Sequence, residues 1–263
     1  MPVDSEGVGY SDHTSDKQRL FRGIVSVWLK MAYGAATKFG YFNRPNRIYY
    51  FDLNAGPGWH REYGHGSPMI FCQLAEQLKM VYPEFRYSAL MVDQSADNVN
   101  ALRRQLDDAS YYHAAATHDD NAVVLGQYAK SIYRNAFGLF YFDPTTPSDM
   151  PWEQIVAISR TWRSADILLH IPAASFKRVQ NRWGNPSLLD SLHAIDKRNK
   201  SIMKPVGKHQ WTFIYLTNGP TIKWPSVRFY DVDSAEGRAT FDLITMTTQQ
   251  RKDRDNDSQP SLF

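Results

Sequence analysis

Apolar and polar positions along this chain follow two periods in alternation. From Lys17 to Lys38, Leu20, Ile24, Val27, Trp28 and Met31 recur at helical spacing and predict an amphipathic helix. Arg47 to Leu53 then reads as a buried strand, and Ser67 to Val81 as a helix with Ser67 as N-cap and Pro68 at its first position. The pattern repeats: strand Phe85–Val92, helix Ala96–Leu106, strand Tyr111–Ala116, helix Asn121–Tyr133, strand Phe137–Phe142, helix Trp152–Trp162, strand Asp166–Ile171. Trp211–Thr217 and Thr240–Met246 complete the set as two late strands with no clear helix between them.

Strands that alternate with helices over more than 100 residues imply an α/β fold with a mainly parallel twisted sheet covered on both faces. The two late strands suggest an antiparallel hairpin at its edge, and Lys17–Lys38 adds an N-terminal helix. No internal repeat or linker interrupts the pattern. The organisation expected is a flexible N-terminus over 1–16, one domain over 17–248, and a charged, disordered tail over 249–263.

Composition narrows the class. With 43% hydrophobic and 22% charged residues the 263-residue chain has the balance of a soluble globular protein. No apolar run approaches the roughly 20 residues that span a bilayer, and a polar, acidic start is unlike a signal peptide. One cysteine, Cys72, excludes an internal disulfide, so a cytoplasmic location is expected. Cys72 sits at a helical position between Ile70 and Leu74 and reads as core rather than nucleophile. A net charge of +3 means that any nucleic-acid surface must be local.

The candidate chemistry lies where strands end. The stretch Asp52-Leu53-Asn54-Ala55-Gly56-Pro57-Gly58 follows the first strand, at the turn that usually meets a ligand in a doubly wound sheet. Its glycines would let backbone approach a ligand, and Asp52 and Asn54 would bond that ligand or hold the turn. The spacing is not that of a dinucleotide fingerprint. The second strand ends in Asp93, placed to receive two ribose hydroxyls or to cap the next helix. After the third, Thr117-His118-Asp119-Asp120-Asn121 puts Asp119 where an adenine amine would be read, though these residues also make an ordinary helix cap. The fourth strand delivers Asp143-Pro144-Thr145, a reacting-group position facing the first turn.

In order and spacing, these blocks resemble S-adenosylmethionine-dependent methyltransferases of the Rossmann-like class. Phe51 to Gly58, Gly66-Ser67-Pro68, Val92-Asp93 and Phe142-Asp143-Pro144 with Trp152 downstream look most like the three-Cys-motif partner proteins, a bacterial and phage group. The similarity spans roughly residues 17–180. The resemblance implies a Rossmann-like methyltransferase fold with S-adenosyl-L-methionine as cofactor. Asp52, Asn54, Ala55, Gly56 and Gly58 would hold its amino-acid part, Asp93 its ribose and Asp119 its base, while Asp143, Pro144 and Thr145 would face the target. Amino-methyltransferases carry aspartate-proline-proline-aromatic at the fourth strand. Here Asp143-Pro144-Thr145-Thr146 lacks the aromatic that stacks on a flipped base, which argues against methylation of an adenine or cytosine amine.

A partner is suggested by charge. Lys177, Arg178, Arg182, Lys197, Arg198, Lys200, Lys204 and Lys208 are set against only Asp190 and Asp196, with Trp183 and Trp211 beside them. Cations and aromatics together suit a nucleic-acid backbone, or else form a solvated face. His60, Glu62 and His65 lack a helix that would pre-form a metal site, so no metal is expected. The expected function is S-adenosylmethionine-dependent transfer to nucleic acid, DNA before RNA, in a modification or phage-defence setting, with a protein partner possible. Two alternatives stand beside it: a non-catalytic module that keeps the fold to bind nucleic acid or protein, and a metal-dependent nuclease-like hydrolase using Asp52, Asp93 and Asp143.

Overall fold

The computed structural model describes residues 14–38, 47–131, 136–146, 149–173, 175, 177, 188–205, 211–220, 227–247 and 249–250. Helix α1 runs Thr14–Lys38, so 14–16, expected to be flexible, already belong to the helix. Strand β1 (Arg47–Asp52) leads through the glycine turn into a small antiparallel pair, β2 (Trp59–His60) and β3 (Gly64–His65), before helix α2 (Ser67–Val81). Then follow β4 (Arg86–Asp93), α3 (Ala96–Asp108), β5 (Ala114–His118), α4 (Asn121–Ser131), β6 (Gly138–Phe142), α5 (Trp152–Thr161) and β7 (Ala165–Pro172). The C-terminal part contributes α6 (Leu188–Ala194), β8 (Asn199–Met203), β9 (Trp211–Thr217), β10 (Phe229–Asp231) and α7 (Ala235–Thr245).

Eight strands form one sheet in the order β10-β8-β9-β7-β6-β1-β4-β5. From β5 to β7 all pairings are parallel, while β9 enters antiparallel between β7 and β8, and β10 runs antiparallel to β8. This is a Rossmann-like arrangement, mainly parallel with its antiparallel part toward one edge. That part is built differently from the expected hairpin. Thr240–Met246, read as a strand from its β-branched residues, lies almost wholly in helix α7. Ser234 caps α7 by accepting from Gly237 N, and the Thr240 and Thr245 hydroxyls bond back to the Glu236 and Phe241 carbonyls one turn earlier. Local capping and i−4 back-bonding override the strand propensity of those threonines.

Strand residues alternate between two cores. Tyr50, Tyr141, Leu168, Phe213 and Tyr215 pack toward α1, α2 and α3, whereas Phe51, Phe140, Phe142, Leu169 and Ile214 pack on the opposite face with α4, α5, α6 and α7. Helix α1 buries Leu20, Phe21, Ile24, Val25, Trp28 and Leu29 in the first core. With both faces covered, β6 and β9 are buried along their whole length, which explains their continuous apolar sequences. The chain moves from β1 to β4 and β5 on one side, then returns to β6 and β7 on the other. The carboxyl ends of β1 and β6 therefore flank the topological switch point, where doubly wound sheets hold ligands.

Candidate functional site

At the switch point the turn after β1 is tied to both neighbouring strands. Ala55 N donates to Val92 O at 3.0 Å and Leu53 N to Tyr141 O at 3.0 Å. The Asn54 side chain accepts from Asp143 N at 3.2 Å, so it holds the turn to the end of β6. Gly56 and Gly58 adopt φ of +62° and +82°, left-handed backbone that favours glycine. A Cβ on Gly58 would also meet Leu102 Cδ1 at 2.5 Å, whereas the space in front of Gly56 is open. Gly66 N closes the β2–β3 excursion onto Gly58 O at 2.8 Å. Gly66, rather than Ser67, is the N-cap of α2, and Ser67 is its first helical residue.

Asp93 faces this turn. Its Oδ2 accepts from Gly56 N at 2.8 Å, and Oδ1 accepts from Ser95 N at 2.8 Å and Asn98 Nδ2 at 3.1 Å. A carboxylate offers about four acceptor positions, so room remains for a hydroxyl donor. Asp119 is half-buried; its Oδ1 accepts from Asp120 N, and Asp120 in turn caps α4 through Ala122 N and Val123 N. Positive-φ glycines, an open Gly56 and a half-buried carboxylate at the next strand end fit the amino-acid and ribose parts of S-adenosylmethionine.

On the α1 side of the sheet, three adjacent strands end in polar groups that cluster. Tyr50 and Asp52 share one face of β1, Tyr141 and Asp143 extend the same face of β6, and Leu168 and His170 that of β7. Asp143 Oδ2 receives Lys17 Nζ from α1 at 2.6 Å, and its Oδ1 lies 2.7 Å from His170 Nδ1. Burial alone would raise the Asp143 carboxyl, but Lys17 and then His170 beside it hold it well below the usual carboxylate range. Asp52, fully buried, is pushed up to about 7 by burial. The Ser67 and Tyr50 hydroxyls oppose that rise, the Tyr50 hydroxyl donating to Oδ2 at 2.8 Å, and the Asp143 charge adds to it. Of two neighbouring carboxyls, the one with the cation keeps its charge and the other takes the proton. His170 is lowered by burial against the raising influence of Asp143. Neither ring nitrogen of His170 makes an aligned hydrogen bond, Nδ1 meeting Asp143 only at ion-pair distance, and the buried Nε1 of neighbouring Trp211 and Asp52 Oδ1 also lack a partner.

Thus Asp52, Asn54, Ala55, Gly56, Gly58, Asp93 and Asp143 converge on the switch point. Pro144 is buried and Thr145 is exposed. Sequence reading missed Lys17, Tyr50, Tyr141 and His170, and it set Trp211 beside the cations of a nucleic-acid surface, whereas the indole is buried against His170. The available signal was the histidine inside the apolar run Ile167-Leu168-Leu169-His170-Ile171.

The basic segment is less uniform than its sequence suggested. Lys197, only 4% exposed, sends its ammonium to the carbonyls of Trp162 (3.0 Å) and Arg163 (3.2 Å), so it is an internal cation and no phosphate contact. Burial lowers it to about 8 against the attraction of Asp166. Lys200 Nζ donates to His193 O at 3.0 Å, Arg198 is exposed and Lys177 half-buried. Arg178 and Arg182 lie outside the described residues. Cys72 is core, its thiol pushed up by burial. Among the described residues no His, Cys, Asp and Glu group could hold a metal ion, and no helix is long and apolar enough to cross a membrane.

No family model matches the chain, and no curated protein matches it in sequence. Among solved structures it is similar to protein LPL1258 from Legionella pneumophila, of family model DUF519, with 10% identity, 90% of this chain and 94% of that one covered, and a TM-score of 0.50. A putative methyltransferase, yhhF, from Escherichia coli has 12% identity, 83% and 92% coverage and a TM-score of 0.39. An rRNA methylase from Streptococcus thermophilus has 12% identity, 65% and 87% coverage and a TM-score of 0.43. At such identities the likeness concerns the fold alone.

Proposed function

We propose that this protein is an S-adenosylmethionine-dependent methyltransferase that acts on nucleic acid. The observation that carries this reading is the glycine turn bonded to Asp93 across the switch point, with an ionised Asp143 at the neighbouring strand end. Bound there, the cofactor would supply a methyl group activated by its sulfonium. The chain's own residues do the rest. Asp93 would accept from the ribose hydroxyls, the open Gly56 would allow close backbone approach while Gly58 lets the turn pack on Leu102, and Asp143 with Lys17 would fix charge at the target. Methyl transfer is an in-line displacement, so positioning supplies most of the acceleration. Exposed cations such as Arg198 would meet the nucleic-acid backbone. The motif resemblance to three-Cys-motif partner proteins is what supports a bacterial or phage modification setting for this activity.

A second reading, a binding module without turnover, draws on the Lys17–Asp143 pair, which occupies the carboxylate expected to face the target. Calorimetry and label transfer separate the two. S-adenosylmethionine should bind with a micromolar Kd, about −8 kcal/mol. Asp93→Ala should weaken it at least tenfold, because the ribose hydroxyls and Gly56 N lose a charged acceptor. Absence of binding by either the cofactor or its demethylated product would remove the proposal; binding without methyl transfer to any DNA or RNA would favour the module.

A further inference from the structure

Among the described residues, the buried side-chain atoms without a hydrogen-bond partner are Asp52 Oδ1, His65 Nδ1, both ring nitrogens of His170 and Trp211 Nε1; His170 Nδ1 lies against Asp143 at ion-pair distance, and two of the others are neighbours and complementary. His170 Nε2 is one and Trp211 Nε1 is the other. The rings are neighbours, 5.4 Å between centroids and inclined at 49°, on adjacent antiparallel strands where His170 pairs with Phe213. Trp211 is 6% exposed and His170 8%, so neither atom has bulk water to satisfy it. An orphaned buried group costs about 1–3 kcal/mol, and native proteins rarely keep two together without a use.

The tautomer fixes the chemistry. A neutral imidazole beside an ionised carboxylate keeps its proton on the nitrogen that faces it, here Nδ1, 2.7 Å from Asp143 Oδ1. Nε2 is then an acceptor, while indole Nε1 can only donate. The group that satisfies both at once is one that donates to His170 and accepts from Trp211, which describes a hydroxyl. The Lys17 and Asp143 side chains, 26% and 16% exposed, are the members of this cluster that reach solvent.

We propose that His170 and Trp211 form the acceptor subsite, that His170 is the general base, and that the methyl group goes to a hydroxyl oxygen, in nucleic acid the ribose 2′-hydroxyl of RNA. This rests on the methyltransferase reading above. The hydroxyl proton passes to His170 Nε2 as the oxygen lone pair forms the new bond to the methyl carbon. The carbon–sulfur bond of the donor returns its electron pair to sulfur, and the positive charge lost there is gained by the imidazolium. Asp143 stabilises that imidazolium, and Trp211 holds the oxygen. An amine acceptor has no need of this base before attack, and the aromatic that would stack on its base is missing at Thr145-Thr146. Specificity for RNA over DNA follows from the 2′-hydroxyl alone.

The test uses the full chain with labelled S-adenosylmethionine, total RNA and DNA. Label should enter RNA only and survive as alkali-resistant dinucleotides, the mark of a 2′-O-methyl group. His170→Gln should lower kcat by 10²–10⁴-fold with cofactor Kd unchanged, and its rate should climb with pH where the parent reaches a plateau. The groups facing His170 that shape this profile are Asp143 beyond β6 and Lys17 from α1, with Asp52 and Tyr141 acting on Asp143 in turn. Trp211→Phe keeps the ring and loses the donor, so it should raise KM or lower kcat about tenfold. Independently of turnover, the 15N resonance of His170 Nε2 should shift when RNA is added. Label on a base nitrogen, label in DNA, or a His170→Gln profile parallel to the parent overturns the inference while the methyltransferase reading stands. So does an Nε2 resonance indifferent to RNA, which marks a structural water between the rings. Failure to bind the cofactor overturns both.

Discussion

Replacing Asp52 by asparagine isolates one proton. In the folded chain the Asp52 carboxyl is raised to about 7 from an ordinary 3.8, through burial and the neighbouring Asp143 charge. A raised acid binds its proton more tightly when folded. Its contribution is therefore fully present below about pH 4 and is lost as pH rises through about 7. At about 1.4 kcal/mol per unit, the parent forfeits up to about 4 kcal/mol of stability across that window. Asparagine mimics the protonated acid and does not titrate. The difference in unfolding free energy between Asp52→Asn and parent should thus grow by up to about 4 kcal/mol, in favour of the variant, from pH 4 to pH 8. Two other groups titrate nearby. His170, lowered from 6.5, acts with the opposite sign, because the unfolded chain then binds the proton and stability rises toward pH 6.5. Asp143 stays ionised throughout. Both are common to the two proteins and cancel in the difference. Urea titrations at half-unit intervals supply the measurement. Parallel curves, within about 0.5 kcal/mol across the range, would show that Asp52 is ionised in the fold and that the proton assignment in the Lys17–Asp143–Asp52 cluster is wrong.

Gly58→Ala should lower stability by about 1–3 kcal/mol, from a φ of +82° and a Cβ set against Leu102, and should weaken cofactor binding; thermal denaturation and calorimetry report each. Lys197→Ala should destabilise by about 1–3 kcal/mol, because the Trp162 and Arg163 carbonyls and Asp166 lose their cation, and should leave the salt dependence of nucleic-acid binding unchanged. Arg198→Ala should do the reverse: stability within about 0.5 kcal/mol of the parent and a shallower fall of affinity with salt. A salt slope that responds to Lys197 and not to Arg198 would refute this division.

The strand ends were legible because each apolar run stops at an acidic residue: Asp52, Asp93 and Asp143 could be placed on the switch point from the sequence. The side-chain parity that puts Tyr50 with Asp52 and Tyr141 with Asp143 was equally available, and extending it to Leu168 and His170 would have found the histidine. Residue type alone does not mark it, because a lone histidine in a buried strand is equally at home in a core. Lys17 was not legible, since its contact with Asp143 depends on how α1 crosses the sheet 126 residues away. In the basic segment the pattern of charges hid Lys197, whose stem and ammonium are both internal. Such a lysine differs from its exposed neighbours only by what surrounds it, and β8, which follows it directly, was not recognised as a strand.

The place of β9 has a consequence for the order in which the chain is made. Strand β8, at 199–203, leaves the ribosome before β9, at 211–217, yet its partners in the sheet are β9 and β10, both made later. Until β9 arrives, the growing sheet ends at β7, whose outer backbone is unpaired and whose side chains are mostly apolar, Ile167, Leu168, Leu169 and Ile171 outnumbering Asp166 and His170. A long hydrophobic edge of that kind is the segment most open to pairing with another nascent copy. The interval between residues 172 and 211 is therefore the period in which synthesis on a crowded message is most exposed to error.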